Sequence, residues 1–259
     1  MDSPIGIKIN GILINNIRYA DDTAMIADNA NDLQELLDQV NEASTRLGLK
    51  INIKKTKFMV VSRNDIPRIR IQLNGENIEH VTQFKYLGCM LNQNWDPEQE
   101  IRCRIEQART TFLKLGKFLT NKNLNFNLRY RTVKCYVWSV LLYGVKDWTL
   151  KATVNKLEAF EMWCLRRMLR ISWVDHIRNE DVLRRAELAD RELFEAIKRR
   201  KTSYLGRIIR GERYEFQRLV LQGKIEGGRK GIGRKELSWL RNIRHWTGIQ
   251  NFQDLQTAA

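Results

Sequence analysis

Two aspartates stand side by side, Asp21 and Asp22, between the apolar stretches Ile12-Leu13-Ile14 and Ala24-Met25-Ile26-Ala27. Aspartate is a poor strand former, and adjacent carboxylates repel each other. Two arrangements accommodate such a pair. A hairpin tip tolerates it, because Asp side chains bond nearby backbone. A divalent cation neutralises it: Mg²⁺ takes hard carboxylate ligands while keeping water and phosphate oxygens, and two such ions clamp the attacking and leaving oxygens in phosphoryl transfer. Upstream, Asn10-Gly11 separates Ile7 and Ile9 from the next apolar run, a two-residue turn signal of the I′ type with positive φ at both positions. The local expectation is a meander whose second turn holds Asp21 and Asp22. Asp28 lies six residues past Asp22; a strand rises about 3.3 Å per residue, which puts it outside a shared metal shell.

Tyr19-Ala20-Asp21-Asp22 on a hairpin resembles the metal-binding motif of reverse transcriptases, in the form used by non-LTR (LINE-type) retrotransposons. Two further stretches are similar to that family, in the same order. Gly48-Leu49-Lys50-Ile51-Asn52-Ile53-Lys54-Lys55-Thr56-Lys57 resembles the following palm motif with its Asn and Lys-Thr, and Phe84-Lys85-Tyr86-Leu87-Gly88 resembles the primer-grip hairpin. The resemblance implies an RNA-directed DNA polymerase acting on an RNA template and a DNA primer with Mg²⁺ or Mn²⁺. It implies Asp21 as the principal metal ligand with Asp22 assisting, and Tyr19 near the incoming nucleotide or primer end. Lys55 resembles the lysine proposed to protonate leaving pyrophosphate; read on its own it is equally a surface lysine beside Lys54 and Lys57. Tyr86, Leu87 and Gly88 would form the turn that presents the primer terminus.

The family also has an essential aspartate on a strand upstream of this hairpin, a nucleotide-selecting motif and a fingers subdomain. Here eighteen residues precede Tyr19, with Asp2 as their sole carboxylate. The expectation is therefore a C-terminal palm, thumb and tail portion of such an enzyme, binding metal weakly and not polymerising as this chain alone. The alternative is a non-catalytic nucleic-acid-binding remnant.

The net charge of +15 is unevenly distributed: residues 1–100 hold 11 Lys/Arg against 14 Asp/Glu, and residues 101–259 hold 34 against 16. A basic region of this kind calls for a polyanionic partner, most often nucleic acid. No apolar run reaches the roughly 18 residues of a membrane span, and Met1-Asp2-Ser3-Pro4 does not open a secretory leader. The expected compartment is intracellular, nuclear or cytoplasmic. Cys89, Cys103, Cys135 and Cys164 lie at no zinc-ligand spacing and read as buried free thiols.

The positioning elements follow from periodicity. Leu33, Leu36, Leu37, Val40, Ala43 and Leu47 predict a helix over 31–47, with Asn31 as N-cap and Gly48 as stop. Leu49 to Ile53 and Phe58 to Val61 are strand candidates, and Asn74-Gly75 marks a second hairpin. From Asp96-Pro97, an N-cap and first-position pair, the pattern turns helical, with helices around 101–119, 128–142 (apolar almost all round) and 154–171. Shorter ones follow at 179–188, 191–209 and 214–221. The fold class is α+β: a partial polymerase palm over 1–95, mostly antiparallel sheet plus helix, a helical thumb-like bundle over 96–210, and a basic tail over 211–259. Within that tail, 223–235 holds five glycines and the cations Lys224, Arg229, Lys230, Arg234 and Lys235. It reads either as a phosphate-contacting loop or as a flexible basic linker. The Arg/Gly stretch with Trp239 and Asn242 to Gly248 is similar to the tail of endonuclease/reverse-transcriptase polyproteins of these elements. The seven tryptophans fall mostly on apolar helix faces, where packing is the ordinary role.

Overall fold

In the computed structural model the described residues are 5–62, 68–94, 96–150, 153–227 and 239–257, without the side chains of 252, 253 and 256. The chain divides into two compact units, each assembled from two separated segments: Met1–Asp96 with Glu212–Arg234, and Pro97–Gly211 with Lys235–Ala259. Helices and small, mostly antiparallel sheets make it α+β.

In the first unit, β1 (Ile7–Ile9) and β2 (Ile12–Ile14) pair antiparallel about Asn10-Gly11, whose φ angles of 47° and 82° make the I′ turn. The strands β3 (Asn16–Tyr19) and β4 (Asp22–Met25) form a second ribbon. The two ribbons are separate two-stranded sheets, where a continuous meander was expected. Asn15 marks the break: its carbonyl accepts from Ile26 N–H (2.8 Å) and its side chain accepts from Asn16 Nδ2 (2.6 Å), so it serves the second ribbon.

Helix α1 (Ala30–Arg46) is capped by Asn29, whose extended backbone lets Oδ1 accept from Asp32 N–H at 2.9 Å; Asn31, the expected cap, lies inside the first turn. The helix stops as expected at Gly48, with φ of 72°. Gly48 N–H reaches Thr45 O and Leu49 N–H reaches Ser44 O, the paired bonds of a Schellman motif. That motif and the next turn replace the strand expected over 49–53.

The remaining strands are short: β5 (Lys57–Phe58), β6 (Gln72–Leu73), β7 (Glu76–Asn77), β8 (Glu79–His80), β9 (Gln83–Tyr86) and β10 (Cys89–Asn92). β6–β7 turns on Asn74-Gly75 with φ of 53° and 82°, as expected, whereas β5 and β8 pair in parallel. Leu37, Phe58, Ile71, Leu73 and Ile78 form the core, with Met25 and Leu33 packed on it. The edge of β6 is closed by a side chain: Gln34 Oε1 accepts from Gln72 N–H (2.8 Å) while Gln34 Nε2 donates to Gln72 O (2.7 Å).

The second unit is helical, through α2 (Glu98–Lys114), α3 (Gly116–Leu119), α4 (Phe126–Thr132), α5 (Trp138–Leu141), α6 (Val154–Leu169), α7 (Asn179–Arg185) and α8 (Leu193–Arg210). The helix expected over 128–142 is interrupted by a π-helical stretch, Val133–Val137. It is also one-sided rather than buried all round. Tyr130, Val133, Val137 and Leu141 are buried, while Leu128, Tyr136 and Cys135 face solvent. Of the four thiols expected to be buried, only Cys164 is fully so, and burial pushes its titration up. After α8 the chain adds α9 (Glu215–Gln222) to the first unit, then α10 (Trp239–Thr247) and α11 (Phe252–Thr257) to the second. No helix among the described residues is long and apolar enough to cross a membrane.

Two buried cations organise this helical core. Arg129 joins two helix ends and a turn, donating from Nη1 to Leu119 O and Met168 O (both 2.9 Å) and from Nε to Leu124 O (3.1 Å). Lys201, fully buried, donates from Nζ to Trp148 O and lies over the rings of Trp239 and Trp246, at 5.0 and 5.8 Å. Burial pulls its titration down to about 7, against the opposing pull of Asp147, itself pushed up by burial. Between about pH 7 and 10 the unfolded chain therefore keeps a proton on this lysine that the folded chain loses, so stability rises with pH across that window and is lost as pH falls through 7. Urea-unfolding midpoints at pH 6.5, 8 and 9.5 should climb for the wild-type chain, and the climb should be blunted in Lys201→Met.

Candidate functional site

The β3–β4 ribbon is anchored at one end and open at the other. Met25, at its base, packs on the core of the first unit. In the register Asn16↔Met25, Ile17↔Ala24, Arg18↔Thr23 and Tyr19↔Asp22, side chains alternate between faces. Tyr19 and Asp22 therefore share a face with Ile17 and Ala24, opposite the one that carries Met25. The two-residue loop is Ala20-Asp21, so Asp21 occupies the turn itself while Asp22 opens β4. Ala20 has φ of 53° and Asp21 stays at negative φ, the pattern of a II′ turn, which favours glycine at its first position.

Tyr19, Asp21 and Asp22 are all exposed. Exposure spares both carboxylates the cost of desolvation, and water screens their repulsion. It also leaves their oxygens open to a hard cation. Two carboxylates with room for water and phosphate are the donor set that Mg²⁺ accepts, so the pair fits a loosely held ion. Among the described residues no group of three or more His, Cys, Asp or Glu gathers around a common point.

The segment Asn52–Thr56 is a turn built on Asn52. Its Oδ1 accepts from Lys55 N–H (3.1 Å), and its carbonyl accepts from Thr56 N–H and Thr56 Oγ1 (both 2.9 Å). The Asn and Thr of this stretch thus hold the loop that displays Lys55, which is exposed. Neither an ion pair nor a hydrogen bond joins Lys55 to Asp21 or Asp22. Lys57, two residues on, is taken by Glu79.

The β9–β10 ribbon pairs Tyr86 with Cys89 and turns on Leu87 (φ 46°) and Gly88 (φ 83°), an I′ turn with leucine at its first position. Tyr86 ends the strand rather than joining the loop. Its Oη is buried without a hydrogen-bond partner among the described residues.

Of the five tail cations, Arg229, Lys230, Arg234 and Lys235 lie outside the described residues. Lys224 is described and exposed, on a segment stitched to the β1–β2 turn. Lys224 N–H donates to Asn10 Oδ1 (2.9 Å), Asn10 N–H to Lys224 O (3.1 Å), Glu226 N–H to Lys8 O (2.9 Å) and Gly11 N–H to Glu226 Oε1 (2.6 Å). A Cβ on Gly223 would stand 2.1 Å from Ile9 Cγ2 and 2.4 Å from Leu219 O, so this glycine serves packing. Nothing in the local sequence announces this return across some 214 positions.

With this geometry in hand, the kinship is direct. Residues 5–91, which contain all three motif stretches, match the reverse transcriptase (RNA-dependent DNA polymerase) family. Over these residues the chain is similar to the reverse transcriptases of LINE-type non-LTR retrotransposons. An uncharacterised transposon-derived protein of Caenorhabditis elegans is 23% identical over 245 residues, covering 92% of this chain and 87% of that protein. The RNA-directed DNA polymerases from the mobile element jockey of Drosophila funebris and Drosophila melanogaster are each 26% identical, over 175 and 176 residues. The chain spans 19% of the length of each of these polymerases. No solved structure matches the chain.

The II′ turn gives a local test. Alanine at this positive φ carries strain on the order of 1 kcal/mol that glycine relieves. Ala20→Gly should slow amide exchange at Ile26 and within β3–β4 by about fivefold, read by hydrogen-exchange NMR, and Ala20→Val should accelerate it.

Proposed function

We propose that the segment 1–95 is the C-terminal part of a reverse-transcriptase palm with its primer-grip hairpin at β9–β10, that 96–210 is its thumb-like helical part, and that 211–259 is a basic tail. The reading rests on one observation above all: a Tyr-Ala-Asp-Asp stretch, inside the family-matched segment, folded as a tight hairpin with both carboxylates at its solvent-facing tip. Asp21 and Asp22 would hold a divalent ion, which would supply positive charge for phosphate oxygens. Tyr19, on the same face as Asp22, would flank the primer end or nucleotide. Lys55, on its Asn52-stapled turn, would serve as proton donor to the leaving group. Leu87-Gly88 would present the primer terminus.

In this reading the chain by itself binds nucleic acid, RNA template or DNA primer, and does not polymerise. Two carboxylates are one short of the set that a two-metal phosphoryl transfer uses. Primer extension with the purified chain, Mg²⁺ or Mn²⁺ and a primed RNA template should give no template-dependent product. Incorporation that Asp21→Asn abolishes would overturn this. Isothermal calorimetry should show no saturable Mg²⁺ binding much below millimolar.

Binding should be tolerant of sequence and should weaken steeply with salt, since counterion release supplies most of such affinity. Replacing Arg229, Lys230, Arg234 and Lys235 together by alanine should reduce the slope of log affinity against log salt on duplex by about 3 to 4. An unchanged slope would assign the tail to a linker role.

A further inference from the structure

The tryptophans of the helical unit are packed, with one exception. Trp138 and Trp148 are buried, Trp163 lies against Phe112 and Phe160, and Trp246 meets Phe194 edge-on. Trp173 is 85% exposed and its neighbour Val174 is 76% exposed. An indole presents about 150–250 Å² of largely apolar surface, so leaving one in water is the informative departure.

The turn that displays it is fixed rather than loose. Ser172 Oγ accepts from Val174 N–H (3.4 Å), and Asp175 Oδ2 accepts from Ser172 N–H (2.7 Å), a closed capping box. Two residues in the left-handed region, Arg170 (φ 57°) and His176 (φ 47°), bracket it. Ile171 on one side and Ile177 on the other pack onto the core, and Arg166 clamps the exit by donating to Ile177 O and Asn179 Oδ1, both at 2.8 Å. The two apolar pins turn inward, and Trp173 and Val174 are held outward at the apex.

The surroundings are cationic. Residues 166–178 contain four arginines and one acid, Asp175, whose carboxylate is engaged by its own turn. Arg170, three residues before Trp173, is held by a bond from its Nε to Thr120 O (3.1 Å). Arg178 is exposed at the start of α7. Of the acids in the first turn of α7, Asp181 is paired with Arg184 at 2.7 Å, and Glu180 is exposed.

We propose that Ser172–His176 is a base-stacking site for single-stranded nucleic acid, in which Trp173 supplies the stacking face and Arg170 and Arg178 meet the flanking phosphates. This deepens the nucleic-acid-binding reading above and rests on it. An aromatic face next to cations matches an unpaired base on its phosphate backbone. Pre-fixing the turn removes the ordering cost of binding. A duplex already stacks its bases internally, so the site discriminates in favour of single strands.

The test uses the full chain and fluorescence anisotropy with a labelled 20-nucleotide oligo-dT and a labelled 20-base-pair duplex at several salt concentrations. Trp173→Ala should weaken oligo-dT binding about tenfold, leave duplex binding within about twofold, and leave the salt slope unchanged, with circular dichroism and melting as for the wild type. Trp173→Phe should retain most of the affinity. Arg170→Ala/Arg178→Ala should lower the oligo-dT salt slope by about 1.4, the value for two phosphates on a single strand. Trp173→Ala binding oligo-dT as tightly as the wild type, or losing both ligands equally, would overturn the site while leaving the broader reading intact. A wild-type chain that binds neither ligand would overturn both.

Discussion

A chain built from two- to four-residue strands and interrupted helices leaves many backbone N–H and C=O groups outside regular ladders, and each must find a partner if it is buried. In both units, polar side chains meet this requirement. Gln34 closes both backbone groups of Gln72 in the first unit, and Asn242 does the same for Leu150 in the second, with Oδ1 accepting and Nδ2 donating at 2.9 Å. Glu161, almost fully buried, accepts on one carboxylate oxygen from Tyr130 Oη and from the N–H groups of Glu192 and Leu193. Arg129 takes three carbonyls at once. Hydrogen bonds involving a charged group contribute about 1.5–3 kcal/mol each, and a buried group left unpaired costs a similar amount. These few side chains therefore hold the helix ends and strand edges on which both units rest.

The same principle decides where chemistry is displayed. Asn52 satisfies the turn that presents Lys55, and the II′ turn at Ala20-Asp21 lifts two carboxylates into water. Their mutual repulsion is small there, because the solvent dielectric screens it. Asp21 and Asp22 stand at an exposed tip of the first unit, and the residues after 100 carry the chain's excess of cations.

Local signals in the sequence proved sufficient for turns and for most helices. Asn10-Gly11 and Asn74-Gly75 adopt positive φ because those residues tolerate it, and Gly48 stops α1 for the same reason. The Leu33/Leu36/Leu37 face, the helices after Pro97 and the Tyr-Ala-Asp-Asp hairpin were legible because periodicity and turn chemistry act over a few residues. Where the signal was weaker, reading and structure part. The apolar run 128–142 gave no sign of its π-helical stretch, since an inserted residue shifts the facing of Cys135 and Tyr136 without altering composition. Leu49 to Ile53 looked like a strand, but the Schellman bonds of α1 and the Asn52 turn claim its backbone first.

What the sequence alone determined is the chemistry available: adjacent carboxylates on a hairpin, a basic C-terminal half, and three motifs in reverse-transcriptase order. What only the tertiary structure decided depends on partners far away in the chain. Lys224 to Glu226 fold back onto the Asn10-Gly11 turn, and Gly223 is required by Ile9 rather than by a phosphate. Lys201 is buried under two indoles, although it directly follows Lys198, Arg199 and Arg200 in the sequence. Trp173 lies outside the helices that periodicity predicts, and only the inward anchoring of Ile171 and Ile177 shows that it is held out in water. The burial of these particular residues depends on what arrives from elsewhere in the chain, which no local pattern records.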